Sequence, residues 1–255
     1  MKRIVHLWIS VALASFVFAG VSAMAGSGEC QGLPTAAQLR IALGNAASGT
    51  GISAPLGPGI APGGLFGGKL MWAAVVNRRG DLCAFETSTA DPSQVWPGSQ
   101  AIAKAKAFTA NAFSNDTLPL STARLYTFAQ PGHSLFGLNN SNPFNPRFLA
   151  EPEGPDGGND RVAGGIITFG GGVPIYSLSG HIVGGLGVSG DTACTDHEIA
   201  KRVRDLVGMN PPGGPLVDDI IYSKPDGTSV FTHPLCPSTV RNGISIGTES
   251  PAAGY

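Results

Sequence analysis

The stretch that most constrains this chain is Gly170–Gly190, GGGVPIYSLSGHIVGGLGVSG, in which two apolar runs are filled with glycine. Val173–Leu178 and His181–Ser189 read as two strands turning at Ser179-Gly180. Glycine weakens a strand interior and marks a bulge or a close approach to the backbone. Gly170, Gly171 and Gly172 lead into the first strand, while Gly184, Gly185 and Gly187 lie within the second. A helix, another subunit or a flat ligand would each satisfy that requirement, and these residues leave the three open.

The rest of the chain supplies elements to surround such a hairpin. MWAAVVNRRGDLCAFET predicts a second hairpin, with Met71–Val76 and Leu82–Thr87 flanking a turn at Asn77–Asp81. A first helix follows Thr35 as N-cap, with Leu39, Leu43 and Ala46/Ala47 on one face. SQAIAKAKAFTANAF predicts a second helix, its face formed by Ile102, Ala105/Lys106, Thr109 and Phe113. TDHEIAKRVRDLVG predicts a third, capped by Asp196 or Thr195, with Ile199, Val203, Leu206 and Val207 as its buried stripe. Ile166–Phe169 reads as a further short strand, and Gly49–Gly68 as a loop. The segment Leu120–Arg161 is too aromatic for a linker and too rich in Pro, Asn and Gly for regular structure, so it reads as a long ordered loop. After Asn210 one or two strands are expected, then a loose tail beyond Arg241. Hairpins on both sides of the chain imply an α/β (α+β) domain with a mainly antiparallel sheet flanked by helices.

Lys2, Arg3, the apolar run Ile4–Val21 and Ala23-Met24-Ala25 predict a secretory leader over residues 1–25, hence a periplasmic or secreted protein. Charged residues make up 13% of the chain, and the net charge is −1, so nothing invites nucleic acid. Export permits disulfides among Cys30, Cys83, Cys194 and Cys236. Of the possible pairings we favour Cys30 with Cys236, closing the chain ends, and Cys83 with Cys194. On this reading residues 26–210 form the domain, and 211–255 an extension tied by a disulfide.

GDLCAF at Gly80–Phe85, AKAKAFTA at Ala103–Ala110, GGVPI at Gly171–Ile175 and GGLGVSG at Gly184–Gly190 occur in order. Together they resemble the GlcG/HbpS-like haem-binding family (DUF336-type), over roughly Leu33–Val207. The resemblance implies a profilin-like three-layer arrangement around a five-stranded sheet, assembly into a homo-oligomer, and haem held in a groove near the subunit contacts. It extends to haem sensing, storage or degradation, and to a membrane sensor as partner. The aromatic loop, the Gly/Pro-rich insert before Met71 and the tail depart from the short family members.

Haem iron needs an axial donor, and His133, amid the aromatic loop, is our candidate metal ligand. Phe136 beside it would form an apolar wall. Lys104 and Lys106 on the second helix would meet the propionates, Lys106 in the better register. Gly171, Gly172 and Pro174 would border the same groove. The other histidines read as structural: His181 as a solvated strand-edge residue, His197 as part of a helix surface, and His233 as tying down a carbonyl. Arg78 and Arg79 read as solvated. Ser189-Gly190-Asp191 is not a nucleophile elbow and reads as the turn before the last helix, suited to receiving an anion. Two rival readings of function stand beside haem binding: an enzyme acting on a small carboxylate or aromatic metabolite in the same groove, and an oligomeric accessory module for a membrane sensor.

Overall fold

The computed structural model describes residues 30–145, 162 and 164–248, so the expected leader lies outside the described residues. The element order begins with α1 (Ala36–Ser48), β1 (Trp72–Asn77), β2 (Leu82–Thr87) and α2 (Gly98–Ala112), and continues through β3 (Gly172–Tyr176), β4 (Ile182–Ser189) and α3 (Ala193–Leu206). Short strands follow: β5 (Ile221–Tyr222), β6 (Thr232–His233), β7 (Thr239–Arg241) and β8 (Ile244–Gly247). Among the described residues no helix is long and apolar enough to cross a membrane.

The main sheet is antiparallel, with strand order β2-β1-β4-β3. Its alternating pleat divides the apolar side chains between two layers. Ala73, Val75, Val173, Ile175, Leu186 and Val188 face α1 and α3, where Leu39, Leu43, Ile199 and Val203 meet them. Trp72, Ala74, Val76 and Phe85 face α2 through Ala103 and Ala107. Thr35 caps α1 with a reciprocal Gln38 bond, and Gly49 ends that helix in the left-handed region, as its sequence predicts.

The glycines are explained on the α2 side. Gly172, Gly185 and Gly187 point at that helix, and a Cβ on any of them would collide with its backbone. The atoms struck would be the carbonyl oxygens of Lys106, Ala107 and Ala103 respectively. Helix backbone resting on strand backbone is therefore what the glycines permit. The residues of α2 that meet the sheet's apolar side chains are accordingly the small Ala103 and Ala107. Of the expected face, Ala105, Lys106 and Thr109 are buried, whereas Ile102 and Phe113 stay partly exposed.

Four strands, not five, make up the main sheet among the described residues. Ile166–Phe169 does not join it because side chains claim its polar groups. The Ile167 amide donates to the Thr109 hydroxyl (3.0 Å), and the Phe169 carbonyl accepts from Thr122 (2.6 Å). The third helix starts earlier than expected, with Thr192 as N-cap accepting from the Thr195 amide. Within the tail expected to be loose, Ile244–Gly247 is instead ordered as β8, paired with β7. Both disulfides differ from the favoured pairing: Cys30 joins Cys83, and Cys194 joins Cys236. The first fastens the segment before α1 to β2, and the second fastens the segment around Cys236 to the start of α3.

Substituting Gly187→Ala should destabilise the protein by about 1–3 kcal/mol, because the added methyl must push α2 away. Gly44, exposed in α1 with open space around its Cα, is the control. Gly44→Ala should stabilise by about 0.5–1 kcal/mol. Urea midpoints at unchanged m-value check both.

Candidate functional site

The second and third helices meet across the Gly171 backbone. Lys106 projects from α2 past that glycine, and its ammonium reaches Asp196 in the first turn of α3 at 2.6 Å. It also donates to the Val188 carbonyl (3.1 Å) and lies 4.9 Å from the centre of the Phe169 ring. Both partners are fully buried. Burial pushes the Asp196 carboxyl up to about 6 and the Lys106 ammonium down, each attraction only partly opposing it. A Cβ at Gly171 would meet the Lys106 ammonium at 2.6 Å, and one at Gly172 would meet the Thr122 methyl at 2.5 Å. The clearance beside these two backbones is thus filled by the protein itself. Pro174, on the edge strand β3, is buried and its carbonyl accepts from Arg204.

Lys104 lies on another side of α2, with its ammonium 4.1 Å from the Phe85 ring centre. Burial lowers it to about 8. Phe85 in turn stacks on Trp72 at 5.1 Å. Neither lysine is the exposed, snorkelling kind.

The Ser189-Gly190-Asp191 turn meets a carboxylate of the chain itself, since the Asp191 amide donates to Asp196 at 2.9 Å. The Asp191 carboxylate accepts backbone N–H groups of Leu65, Phe66, Gly68 and Thr192 at 2.7–3.3 Å. That bonding pins the Gly-rich insert to the start of α3.

The aromatic loop begins as short 3-10 turns at Thr122–Leu125 and Thr127–Ala129. It is stitched to the glycine turn by Thr122, whose hydroxyl accepts from the Gly172 amide at 2.9 Å. Further on, the Phe144 ring lies against Gly165, beside Ala105 of α2. Between these anchors the loop turns outward. His133 is exposed there, and Phe136 exposes 67% of its surface. The Phe136 amide donates to the His133 carbonyl (3.1 Å), so one turn carries both side chains. The expected site residues therefore separate into three places: Lys106, Gly171, Gly172 and Pro174 in the buried seam, Lys104 on Phe85, and His133 with Phe136 on the loop surface.

Other expectations change more sharply. His181 is exposed at its strand edge, as read, and pairs with Asp116 at 2.9 Å. His197 is fully buried instead of on a helix surface, its Nε2 lying 3.5 Å from Asp219. Neither arginine of the hairpin turn is merely solvated. Arg78 binds the Asn111 and Ser114 carbonyls at the end of α2, and Arg79 pairs with Asp81 at 2.7 Å. His233 does bind a carbonyl, that of Pro234 at 2.7 Å, while its Nε2 faces the Gly170 amide at 3.4 Å.

The residues after Asn210 bury the charged face of α3. Arg204 forms a two-pronged pair with Asp218 (2.6 and 2.8 Å), and Lys201 binds Asp219 (2.5 Å), Glu198 (3.0 Å) and Asn242 (2.8 Å). Burial alone would raise the Asp219 carboxyl, but Lys201 and His197 beside it hold it far below the usual carboxylate range. Sequence reading missed Asp196, Asp218 and Asp219 as partners. The available signal was a helix crowded with charges of both signs in a chain otherwise poor in them.

The family model described as haem degrading protein HbpS-like matches residues 66–205. Among solved structures, the chain is similar to Klebsiella pneumoniae protein ORFY of family DUF336, with 22% identity over 68% of this chain and 86% of that one, at a TM-score of 0.44. It is similar to the PduOC:haem complex, with 21% identity over 68% of this chain and 92% of that one, TM-score 0.44. The match to HbpS has 22% identity over 55% of this chain and 76% of that one, TM-score 0.38. No curated protein matches the chain.

Two outcomes follow from the seam. Lys106→Met should cost about 3–5 kcal/mol in urea unfolding, because Asp196 is left as an uncompensated buried acid, and adding Asp196→Leu should recover much of that loss. Burial depresses His233 to about 4, so between pH 6.5 and 4 the unfolded chain binds a proton that the folded chain refuses. His233 thus favours folding fully above pH 6.5, and its contribution falls as pH drops, by up to about 1.4 kcal/mol per unit. His197, also depressed by burial, acts in the same direction, whereas Asp196 opposes both. The difference in pH slope of the urea midpoint between wild type and His233→Phe isolates the term.

Proposed function

The chain belongs to the HbpS-like family, and from that premise we propose that it is an exported haem-binding protein. The family match over residues 66–205 is the observation that carries this reading. The donor chemistry adds to it: the loop turn offers an exposed imidazole at His133 and, one turn on, the exposed ring of Phe136. A porphyrin laid on that face would take His133 as axial ligand and Phe136 as its apolar wall. Bound haem supplies an iron centre with a coordination position for a histidine nitrogen. The protein's own contribution is to hold that imidazole outward on a loop anchored at Thr122 and Phe144.

On this reading Lys106, Gly171, Gly172 and Pro174 support the loop from beneath instead of touching the ligand, because their clearance is filled. The same filling removes the space that a small-carboxylate enzyme would need beside the glycine turn. One face of a porphyrin on an exposed loop stays open, and a second copy of the chain would cover it, in keeping with a homo-oligomer.

Haem titration of the mature chain, followed through the Soret band, tests the proposal. A saturable shift at micromolar haem is expected. His133→Ala should move the band and weaken binding at least about tenfold, and Phe136→Ala should weaken it without moving the band. A saturable shift indifferent to His133→Ala would overturn the axial assignment. The absence of any saturable shift would overturn haem binding itself.

A further inference from the structure

Cys194, Cys236 and His233 form the one cluster of soft metal donors among the described residues, with one ligand atom from each lying within 4.8 Å of the others. In the structure the two sulfurs are joined, and all three residues are buried. We infer that this disulfide, once opened by a dithiol reductant, becomes a thiolate–thiolate–imidazole site for a zinc-like cation, which then keeps the C-terminal segment fastened to α3.

Two features carry the inference, independently of the haem reading. First, each donor is positioned by bonds other than the S–S bond. Cys194 lies in the first turn of α3. The Cys236 amide donates to the Thr239 hydroxyl (2.8 Å), which donates back to the Cys236 carbonyl (2.7 Å). His233 is held between the Pro234 carbonyl and the Gly170 amide. Opening the bond therefore leaves the sulfurs near each other and near the ring.

Second, the surroundings favour thiolates. Cys194 sits at the positive end of α3, and its amide, an early N–H of that helix, donates to the Cys236 sulfur at 3.2 Å. Helix N-termini lower thiol pKa values, and the thiolate is the form that binds metal. Two sulfurs and one nitrogen suit a soft, tetrahedral ion and leave its fourth position to water or another small ligand.

The chemistry balances. The dithiol gives two electrons to the Cys194–Cys236 bond and is itself oxidised to a disulfide, leaving two thiols. Zinc then displaces one proton from each thiol and takes the Nε2 lone pair of His233 in exchange for its long contact with the Gly170 amide, while Nδ1–H keeps its bond to the Pro234 carbonyl. The Cys30–Cys83 bridge offers an internal control, since no such donor group surrounds it among the described residues.

Cobalt(II) titration of the full mature chain tests the site, after reduction with a water-soluble phosphine that becomes its oxide. One cobalt per chain is expected, with a thiolate-to-cobalt charge-transfer band that zinc abolishes and that the oxidised protein lacks. His233→Ala should weaken cobalt binding at least about tenfold. Cys194→Ser with Cys236→Ser, which keeps the Cys30–Cys83 thiols, should bind none. The inference is overturned if the reduced wild type shows no such band, if His233→Ala binds cobalt as tightly, or if the double serine variant retains the band. It is also overturned if reduced, zinc-loaded protein has lost the near-ultraviolet circular dichroism of the oxidised form.

Discussion

The contact between the backbone of α2 and the glycine floor of β3 and β4 is the constraint on which the remaining architecture depends. Once Gly172, Gly185 and Gly187 let the helix carbonyls come so close, the helix has almost no freedom to slide or rotate. Ala103 and Ala107 then have to be small. Lys106, one residue before Ala107, is carried to the sheet edge, where only Gly171 lets its ammonium pass toward α3. Trp72 and Phe85 fill the space left beside the helix on the β1–β2 side. A close backbone contact thus fixes which side chains are buried, although it brings little apolar area of its own.

On the opposite face of the sheet the logic changes from packing to charge. Asp196, His197, Glu198, Lys201, Arg202 and Arg204 are all buried on one helix, which a short hydrophobic stripe could not explain. Their partners come mostly from segments distant in sequence: Asp218, Asp219 and Asn242 from the C-terminal side, and the Ala46 and Ile60 carbonyls from the N-terminal side. Such a network gains little net stability over apolar packing, because each ion loses its water. It is strict about register, however. A residue of slip in the C-terminal segment would leave Arg204 and Lys201 as unpaired buried cations, so the network selects one way for that segment to lie.

This contrast explains what could be read in the sequence. Alternation and turn chemistry gave β1, β2 and β4 nearly to the residue, and Thr35 and Gly49 marked the ends of α1, because those signals are local. The α2 face was read only in part, with Ala105, Lys106 and Thr109 buried as expected and Ile102 not, for a physical reason. Its packing partner is a strand without side chains, so the smallest residues point inward and the apolar Ile102 does not. His197 and the α3 charges were misread because polarity signals solvent only until a distant segment supplies counter-charges. The disulfide pairing could not be derived from closing the chain ends, since each bridge instead joins an irregular segment to a nearby regular element. Of the site residues, the loop position of His133 and Phe136 followed from composition, whereas the filling of the glycine turn needed coordinates.

The motifs that identify the family here are thereby motifs of fold before they are motifs of ligand. GGVPI and GGLGVSG are glycine-rich because a helix rests on them, and the second lysine of AKAKAFTA, Lys106, closes an ion pair inside the protein. Over that seam lie a long aromatic loop anchored at Thr122 and Phe144, and a C-terminal segment clasped to α3 through Cys194–Cys236. Both segments are fastened to the seam at its two ends, the loop at Gly172 and the clasp at the first turn of α3. A ligand that moved the loop would therefore pull on the Thr122–Gly172 bond. A change at the clasp would act on Asp196, two residues along the same helix, and through Lys106 on the same turn. The buried Lys106–Asp196 pair lies between the two fastenings and links α2 to α3 there.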